Sequence, residues 1–481
     1  MKRIVNVLGK LNWGTAFVLC AATAITLSAQ TFNVVHSFDG TDGADPAAPL
    51  VQGTDGNLYG TTGEGGLSNY GTIFRIAPNG ALTTLYSFCS QGIGCPGGYA
   101  PDGGLIQATN GDFYGTTYGG EGAGLGTVFT ITPSGALTTL INFDYRDGAY
   151  PEAGVIQARD GNFYGTTDSG APYRYGTVFR ITPSGTLTTI HRFCGEVSPC
   201  MEGSYPSWVV EAADGNLYGT TSEGGAYGSG TVFKITQAGA LTTLYSFCSQ
   251  SGCPDGANPN GLVQAINGDF YGTTRTGGLP NNGGTIFRIT ADGALSTLYT
   301  FCSKGKYCPD GSDPEGGLVQ ATNGDFYGIT QSGGANNQSG TIFVIGPSGL
   351  TTLYNFCARS GCVDGESPEA GLVQGTDGNL YGTTHGGGAN GDGIVFSLSV
   401  GQGPFVKTQT SAGPVGTAVN ILGTNLTGAT SVSFNGTAAV FDVVLPFLIT
   451  TTVPAGATSG TVQVVTPGGT LSSNAPFEVL P

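Results

Sequence analysis

Charge is scarce in this chain: only 10 % of its 481 residues are Asp, Glu, Lys or Arg. Histidine occurs three times, tryptophan and methionine twice each. Basic residues are the scarcer sign, with 16 Lys+Arg against 32 Asp+Glu. Three of those 16, Lys2, Arg3 and Lys10, fall in the first 29 residues, so 13 remain against 32 acids, a formal charge of −19 on residues 30–481. Such a surface repels a phosphate backbone, which excludes nucleic acid as a partner. It also suits a soluble exported protein. Beyond residue 29 no apolar run is long enough to cross a bilayer.

Glycine is abundant instead, with 85 residues, and 25 prolines accompany it. The glycines recur at fixed offsets between apolar runs, which means turns and not disorder. A Leu/Phe-Tyr-Gly motif returns at Tyr59, Tyr114, Tyr164, Tyr218, Tyr271, Tyr327 and Tyr381, at intervals of 55, 50, 54, 53, 56 and 54 residues. A repeat of this length built from short alternating segments predicts a closed ring of small sheets.

One copy reads as four strands. Pro49–Gln52 is a short apolar strand, Asp55-Gly56 a hairpin turn, and Asn57–Thr62 a second strand. After a glycine-rich loop, Gly71–Ile76 alternates as a third strand, and Leu82–Phe88 is a fourth, dense in β-branched and aromatic residues. The last copy lacks its fourth strand, and the segment Phe32–Phe38 stands unaccompanied at the other end. An open solenoid would carry polar caps there. A leftover strand that complements a deficit predicts ring closure, which removes two unpaired sheet edges. The expected fold is all-β: a seven-bladed β-propeller over residues 30–400, a linker at 401–404, and a β-sandwich over 405–481.

Residues 1–29 read as an export signal, basic at Lys2, Arg3 and Lys10 and apolar from Ala16 to Ala29, with cleavage expected before Gln30. A retained membrane anchor is the alternative. Cys20 follows Leu19 rather than a small residue, so it makes a poor lipidation site. The expected location is secreted or cell-surface associated.

The pattern Leu50-Val51-Gln52…Asp55-Gly56-Asn57-Leu58-Tyr59-Gly60-Thr61-Thr62, with Gly71-Thr72-Ile73-Phe74 and Leu82–Phe88, resembles the GloVer tandem repeat of exported bacterial proteins over residues 31–400. More distantly it resembles NHL, streptogramin-lyase-like and gluconolactonase-like propellers. The first resemblance implies export and a surface role without an established reaction. The segment from 404 onward, with Gly413-Pro414-Val415-Gly416-Thr417, Gly423-Thr424-Asn425 and Val453-Pro454-Ala455-Gly456, resembles the immunoglobulin-like IPT/TIG family. That implies a spacer or interaction module.

Ten cysteines remain after residue 29, in five local pairs: Cys89 with Cys95, Cys194 with Cys200, Cys248 with Cys253, Cys302 with Cys308, and Cys357 with Cys362. Each pair follows the terminal Phe of a fourth strand, while Phe38-Asp39 and Phe143-Asp144 lack both members. Loss two at a time predicts disulfides. Metal ligation would also lose both, but no histidine or second pair stands at zinc spacing.

Catalytic motifs are missing: there is no Gly-x-Ser-x-Gly, His-Glu-x-x-His or phosphate loop. His36 and His191 occupy strand positions where other copies have Tyr86, Tyr245, Tyr299 or Tyr354, and His385 opens a glycine-rich loop without an obvious partner. Gln52, Gln107, Gln157, Glu211, Gln264, Gln320 and Gln374 recur on the innermost strands, either as a channel lining or as interblade hydrogen bonds. Asp42, Asp147, Glu202, Asp255, Asp310 and Asp364 share one connection position, as a ring for calcium or a polyol, or simply as a duplicated turn. No cofactor is otherwise implied. All long or variable loops fall on one face, several with an aromatic such as Tyr118, Tyr173 and Tyr175. The reading that follows is a monomeric, non-catalytic exported scaffold that binds extracellular carbohydrate or protein through that face. The alternative is a metal-dependent propeller enzyme of lyase or lactonase type, which acidic or Asn side chains converging at the channel mouth would favour.

Overall fold

The computed structural model describes residues 30–90, 94–121, 124–170, 172, 174–195, 200–305 and 307–481. Residues 1–29, for which an export signal is expected, and Tyr173 lie outside the described residues. The fold is all-β, with sheets of four antiparallel strands followed by a smaller two-sheet module. The first copy gives β1 (Thr31–Ser37), β2 (Val51–Gln52), β3 (Leu58–Thr62), β4 (Thr72–Ile76) and β5 (Leu82–Ser87). Strands β2 to β5 form one sheet in chain order, and the same meander recurs in the following copies. β1 does not join it. It pairs antiparallel with Ile394–Ser399, the third strand of the last copy, from Thr31↔Ser399 to Ser37↔Ile394. The expected closure is what the structure shows.

The core lies between successive sheets. Tyr59, Ile73 and Phe88 of the first pack on Leu105, Phe113, Phe129 and Ile131 of the next. Equivalent clusters join every later pair. Phe38, Leu50 and Phe74 meet Tyr381 and Val395, so the last sheet packs on the first.

These contacts explain the motif. Tyr59 donates its hydroxyl to Asp55 of the preceding turn at 2.8 Å, and its ring stacks on Phe113 of the next sheet at 4.0 Å. Tyr164, Tyr218 and Tyr381 donate to a turn Asp in the same way, while Tyr114, Tyr271 and Tyr327 accept from the side-chain amide of a turn Asn. Burial of the ring raises each phenol pKa in the Asp-bonded copies, with the nearby carboxylate adding to it. The glycine after the tyrosine carries the third-strand phenylalanine on its backbone: a Cβ at Gly60 would stand 2.6 Å from Phe74 Cζ and 2.7 Å from Leu50 Cδ2. The second threonine of the motif meets the third strand, Thr62 Oγ1 lying 2.9 Å from Thr72 Oγ1 in a fully buried pair.

The inner-strand glutamines bond between sheets. Gln107 Oε1 accepts from Thr54 N at 2.8 Å, Gln157 from Thr109 N, Gln264 from Ala213 N, Gln320 from Ile266 N and Gln374 from Thr322 N. Glu211 fills the same role toward Arg159 N at 2.9 Å. Gln52 completes the circle by accepting from Thr376 N at 3.1 Å. The interblade reading of these amides therefore describes them.

Five disulfides are present, each between near neighbours. Cys89 is bonded to Cys95, Cys194 to Cys200, Cys248 to Cys253, Cys302 to Cys308, and Cys357 to Cys362. Every bridge brackets one outer loop, and none links two sheets. Loops this short bring roughly 2 kcal/mol apiece by the chain-entropy model. The bridges stiffen loops and leave the sheets to packing.

The C-terminal module has two four-stranded sheets around Val406, Ile421, Phe434, Ile449, Val464 and Phe477. It rests on the tight-turn end of the ring. Gln409 Nε2 donates to Gln107 O and Ala108 O at 3.2 and 2.8 Å, Thr424 and Thr376 hydroxyls are 2.8 Å apart, and Arg159 pairs with Glu478 at 3.0 Å. The module thus covers one end of the channel. The loop-rich end stays open.

Candidate ligand-binding face

At the loop-rich end, each connection into an inner strand passes through an X-Pro step. The residue before proline normally takes an extended backbone. Here all seven, Asp45, Ala100, Tyr150, Tyr205, Asn258, Asp313 and Ser367, have φ between 51° and 58°. Repetition at one position in every copy marks a turn imposed by the fold. It brings the residue after proline to the channel mouth: Asp102, Glu152, Ser207, Asn260, Glu315 and Glu369. In three copies the residue after the second motif threonine meets it there: Asp168, Ser222 and His385. Together they line a cavity of about 660 Å³.

Its floor is Trp208. The inner strand Ser204–Glu211 shifts register against Leu217–Glu223 between Pro206 and Val209. An extra residue of this kind re-aims a side chain. The indole crosses the channel until its Cη2 lies 3.2 Å from where a Cβ would stand on Gly104, two sheets away, and it also packs beside Gly261. Five other copies place glycine at the matching position, Gly104, Gly154, Gly261, Gly317 and Gly371, and the first places Pro49. A side chain at each would fill the channel, so only one copy can supply the plug.

Electrostatics follow from crowding. Burial, then the carboxylates of Asp45, Glu152, Glu369 and Glu64, pushes the Asp102 pKa up to about 7. Burial raises Glu152 and Asp168 as well. Burial also raises Glu315, opposed by Arg275, which pairs with it at 2.9 Å. Glu369 accepts from Gln331 Nε2 at 2.7 Å. His385 hydrogen-bonds Asp45 through Nδ1, and that bond lifts its pKa to about 9, so the imidazolium is the charged form at neutral pH. Asp45 is the partner that the sequence leaves hidden, because 340 residues separate the two.

A raised carboxyl pKa has a definite sign. The folded state holds the Asp102 proton between the ordinary 3.8 and about 7, so this group's contribution to stability falls as pH rises through that window. Asp102→Asn is expected to raise the melting temperature by roughly 2–4 °C at pH 8 and to change it little at pH 4. Thermal melts across that range check it. A difference that does not grow with pH would refute the crowding.

Of the residues singled out from sequence, Tyr118 stands beside the mouth, stacked on Tyr150 at 4.9 Å. Burial, then the Glu152 carboxylate, raises its phenol pKa. Tyr175 packs edge-on against Tyr205, itself a cavity residue, at 6.1 Å. The bridged cysteines lie in the outer loops, and none of the ten lines the cavity. Asp42, Asp147, Glu202, Asp255, Asp310 and Asp364 are not brought together. Each turns back on its own copy: Asp42 on His36 at 2.7 Å, Asp255 and Asp310 on the Tyr245 and Tyr299 hydroxyls at 2.8 and 2.7 Å, Asp364 on Tyr354, Asp147 on Asp144 N at 3.1 Å, and Glu202 on Cys194 N at 2.7 Å. His36 and His191 thus stand in for tyrosine, with His191 Nε2 3.4 Å from Glu202.

Sequence reasoning passed over the carboxylates after proline and Trp208. The signal was present for Trp208, the one aromatic residue in a column of five glycines and Pro49. Among the described residues, the one set of three metal-type ligand atoms within 4.8 Å of each other is Cys357, Cys362 and Glu366, and both sulfurs are already in a disulfide. No three of the mouth carboxylates form such a set.

Fold and site together define an all-β repeat protein with a ligand-sized cavity at its loop-rich end. Residues 6–208 and 205–440 match the Gloeobacter/Verrucomicrobia repeat, and the chain belongs to that family. Residues 404–479 match the IPT/TIG domain. No curated protein matches the sequence. Among solved structures, a fungal alcohol oxidase of the AA5 family in complex with copper is similar with a TM-score of 0.51 and 13 % identity, over 94 % of this chain and 99 % of that one. The extracellular domain of a hybrid two component system from B. thetaiotaomicron is similar with a TM-score of 0.50 and 13 % identity, over 94 % of this chain and 58 % of that one. At this identity both likenesses concern the fold alone. Five disulfides fit a secreted protein, and no helix among the described residues is long and apolar enough to cross a membrane.

Proposed function

We propose that the chain is an exported, monomeric seven-bladed propeller that binds extracellular carbohydrate in the cavity over Trp208. The observation that carries this reading is the indole laid across the channel beneath spaced carboxylates. An aromatic face offers apolar C–H surface a platform. Carboxylates such as Glu152 and Glu369 are strong acceptors for the hydroxyls around a sugar ring. Their spacing supports a polyhydroxylated ligand over a single ion, which needs several oxygens at about 2.0–2.6 Å from one point. The convergence of Asp102, Glu152, Asn260, Glu315 and Glu369 at the mouth is the feature that, on the sequence alone, favours the metal-dependent lyase or lactonase, which stands as the second reading, and metal content of the purified protein separates the two.

The test is a glycan array with residues 30–481, followed by calorimetry on the best glycan. Trp208→Ala is expected to weaken binding at least tenfold, while the melting temperature stays within a few degrees because the indole lines an open cavity. Undiminished affinity in Trp208→Ala would overturn the site. A chain that binds no glycan but copurifies with a stoichiometric divalent metal would overturn the carbohydrate reading in favour of the enzyme.

A further inference from the structure

A second cavity, of about 620 Å³, lies at the opposite end, between the inner strands and the C-terminal module. The ring contributes Gln107, Arg159 and Glu211 to its wall, and the module contributes Lys407 and Thr410. Lys407 arrives there by strand alternation. Val406, before it on the strand Val406–Thr408, points into the sandwich core, so Lys407 points out toward the ring. The side chain is half-buried, and the chamber it lines is where its remaining surface opens.

One guanidinium, that of Arg159, serves two carboxylates beside the chamber, and neither of them reaches Lys407. Glu211 accepts from the backbone N of Arg159 at 2.9 Å and lies 3.9 Å from its guanidinium. Arg159 in turn pairs with Glu478 at 3.0 Å. No hydrogen bond or ion pair among the described residues reaches the Lys407 ammonium. Burial acts on it alone, lowering its pKa to about 8, so it remains mostly cationic at pH 7. The Thr410 hydroxyl is buried without a hydrogen-bond partner. A half-buried ammonium with no direct partner gains from any ligand that can pair with it. An orphaned hydroxyl on the wall of the same chamber adds a second unmet demand.

We infer that this interdomain chamber is a second ligand site, which takes a compact oxyanion, carboxylate or phosphate, on the Lys407 ammonium with the Thr410 hydroxyl as a further donor. The site is independent of the loop-rich face, since it rests on different residues at the other end of the channel. It gives the C-terminal module a role besides spacing: the module supplies the anion-binding groups, and the ring supplies the enclosing wall. None of the mouth carboxylates lines the chamber.

Calorimetry and thermal melts of residues 30–481 at pH 7, with sodium galacturonate and sodium phosphate in separate titrations, test it. At least one anion is expected to bind with a stoichiometry of one and to raise the melting temperature, since a ligand held by the folded state alone stabilises it. Galacturonate alone would identify a carboxylate site, phosphate alone a phosphate site, and both a general oxyanion site. Lys407→Met keeps the apolar stem and is expected to weaken binding more than tenfold while raising the melting temperature of the ligand-free protein. Thr410→Val should weaken binding several-fold. Should Lys407→Met fold poorly, Lys407→Gln replaces it with the same expectation for binding. If neither anion binds, or if affinity survives loss of the Lys407 charge, the inference is overturned.

Discussion

A chain that begins at Asp39, and so lacks β1, is expected to lose cooperative folding at 37 °C. Six residue pairs with Ile394–Ser399 disappear, which exposes a long unpaired edge on the last sheet. Packing is lost too. Phe32 stacks on Tyr354 at 3.9 Å and meets Phe356 and Phe396, and fully buried Phe38 sits edge-on to Phe74 at 5.3 Å. Removing one buried phenylalanine costs about 3–5 kcal/mol, against a total stability of roughly 5–15 kcal/mol for a folded domain. Two such losses with an open ring approach the whole. Phe38→Ala alone should therefore lower stability by about 3–5 kcal/mol in denaturant titrations, and the truncated chain should show no single sharp transition. A synthetic peptide of residues 31–38, added in excess, should restore part of the transition by filling the vacant edge. A truncated chain that melts like the parent would show that β1 does not close the ring.

Gly60→Ala should destabilise by about 1–3 kcal/mol, the usual cost of overpacking a filled core, although alanine is elsewhere the better residue. Gly60 is not among the glycines with positive φ, so its backbone tolerates any side chain. The obstacle is steric: the new methyl would stand 2.6 Å from Phe74 Cζ and 2.7 Å from Leu50 Cδ2. Stiffening the unfolded chain offsets only about 0.4–1 kcal/mol. Phe74→Leu combined with Gly60→Ala gives the methyl room, so the double variant should be less destabilised than the two single losses added together. A double-mutant cycle in urea reads that coupling. Additive losses would mean that the glycine serves some need other than the phenylalanine ring. The same close approach recurs at Gly115, Gly165, Gly219, Gly272, Gly328 and Gly382, each with a phenylalanine Cζ or Leu side-chain carbon at 2.6 or 2.7 Å, so any of them should behave alike.

Much of the ring was legible in the sequence. Tyr-Gly spacing, the Asp-Gly and Asn-Gly turns and the displaced strand Phe32–Phe38 are local patterns, and local patterns govern hairpins and strand order. The cysteine pairs were legible for the same reason, since five or six residues separate the members of each bridge, as with Cys248 and Cys253 or Cys302 and Cys308. The candidate site was not. Asp102, Glu152, Glu315 and Glu369 sit in separate copies, and a carboxylate after proline looks like any exposed turn residue until the αL step before it aims the side chain inward. Asp42 and its equivalents looked like a ring because they recur, yet each carboxylate has nearer donors in its own copy.

The sequence by itself determined the repeat, its four-strand reading, the closure of the ring by the N-terminal strand, and the presence of a separate C-terminal sandwich. All of these follow from periodicity and from the need to pair every strand edge. Only the tertiary structure decided which residues share a cavity, that Trp208 crosses from one sheet to a glycine two sheets away, and that the C-terminal module seats on the turn end and leaves the loop end open. Those are facts of contact between residues tens to hundreds of positions apart, and they depend on how the sheets are disposed around a common axis. The charge of Lys407 makes the contrast plain. In sequence it is one basic residue beside a valine; in the fold it is a half-buried cation without a direct partner, on the wall of a chamber between ring and module.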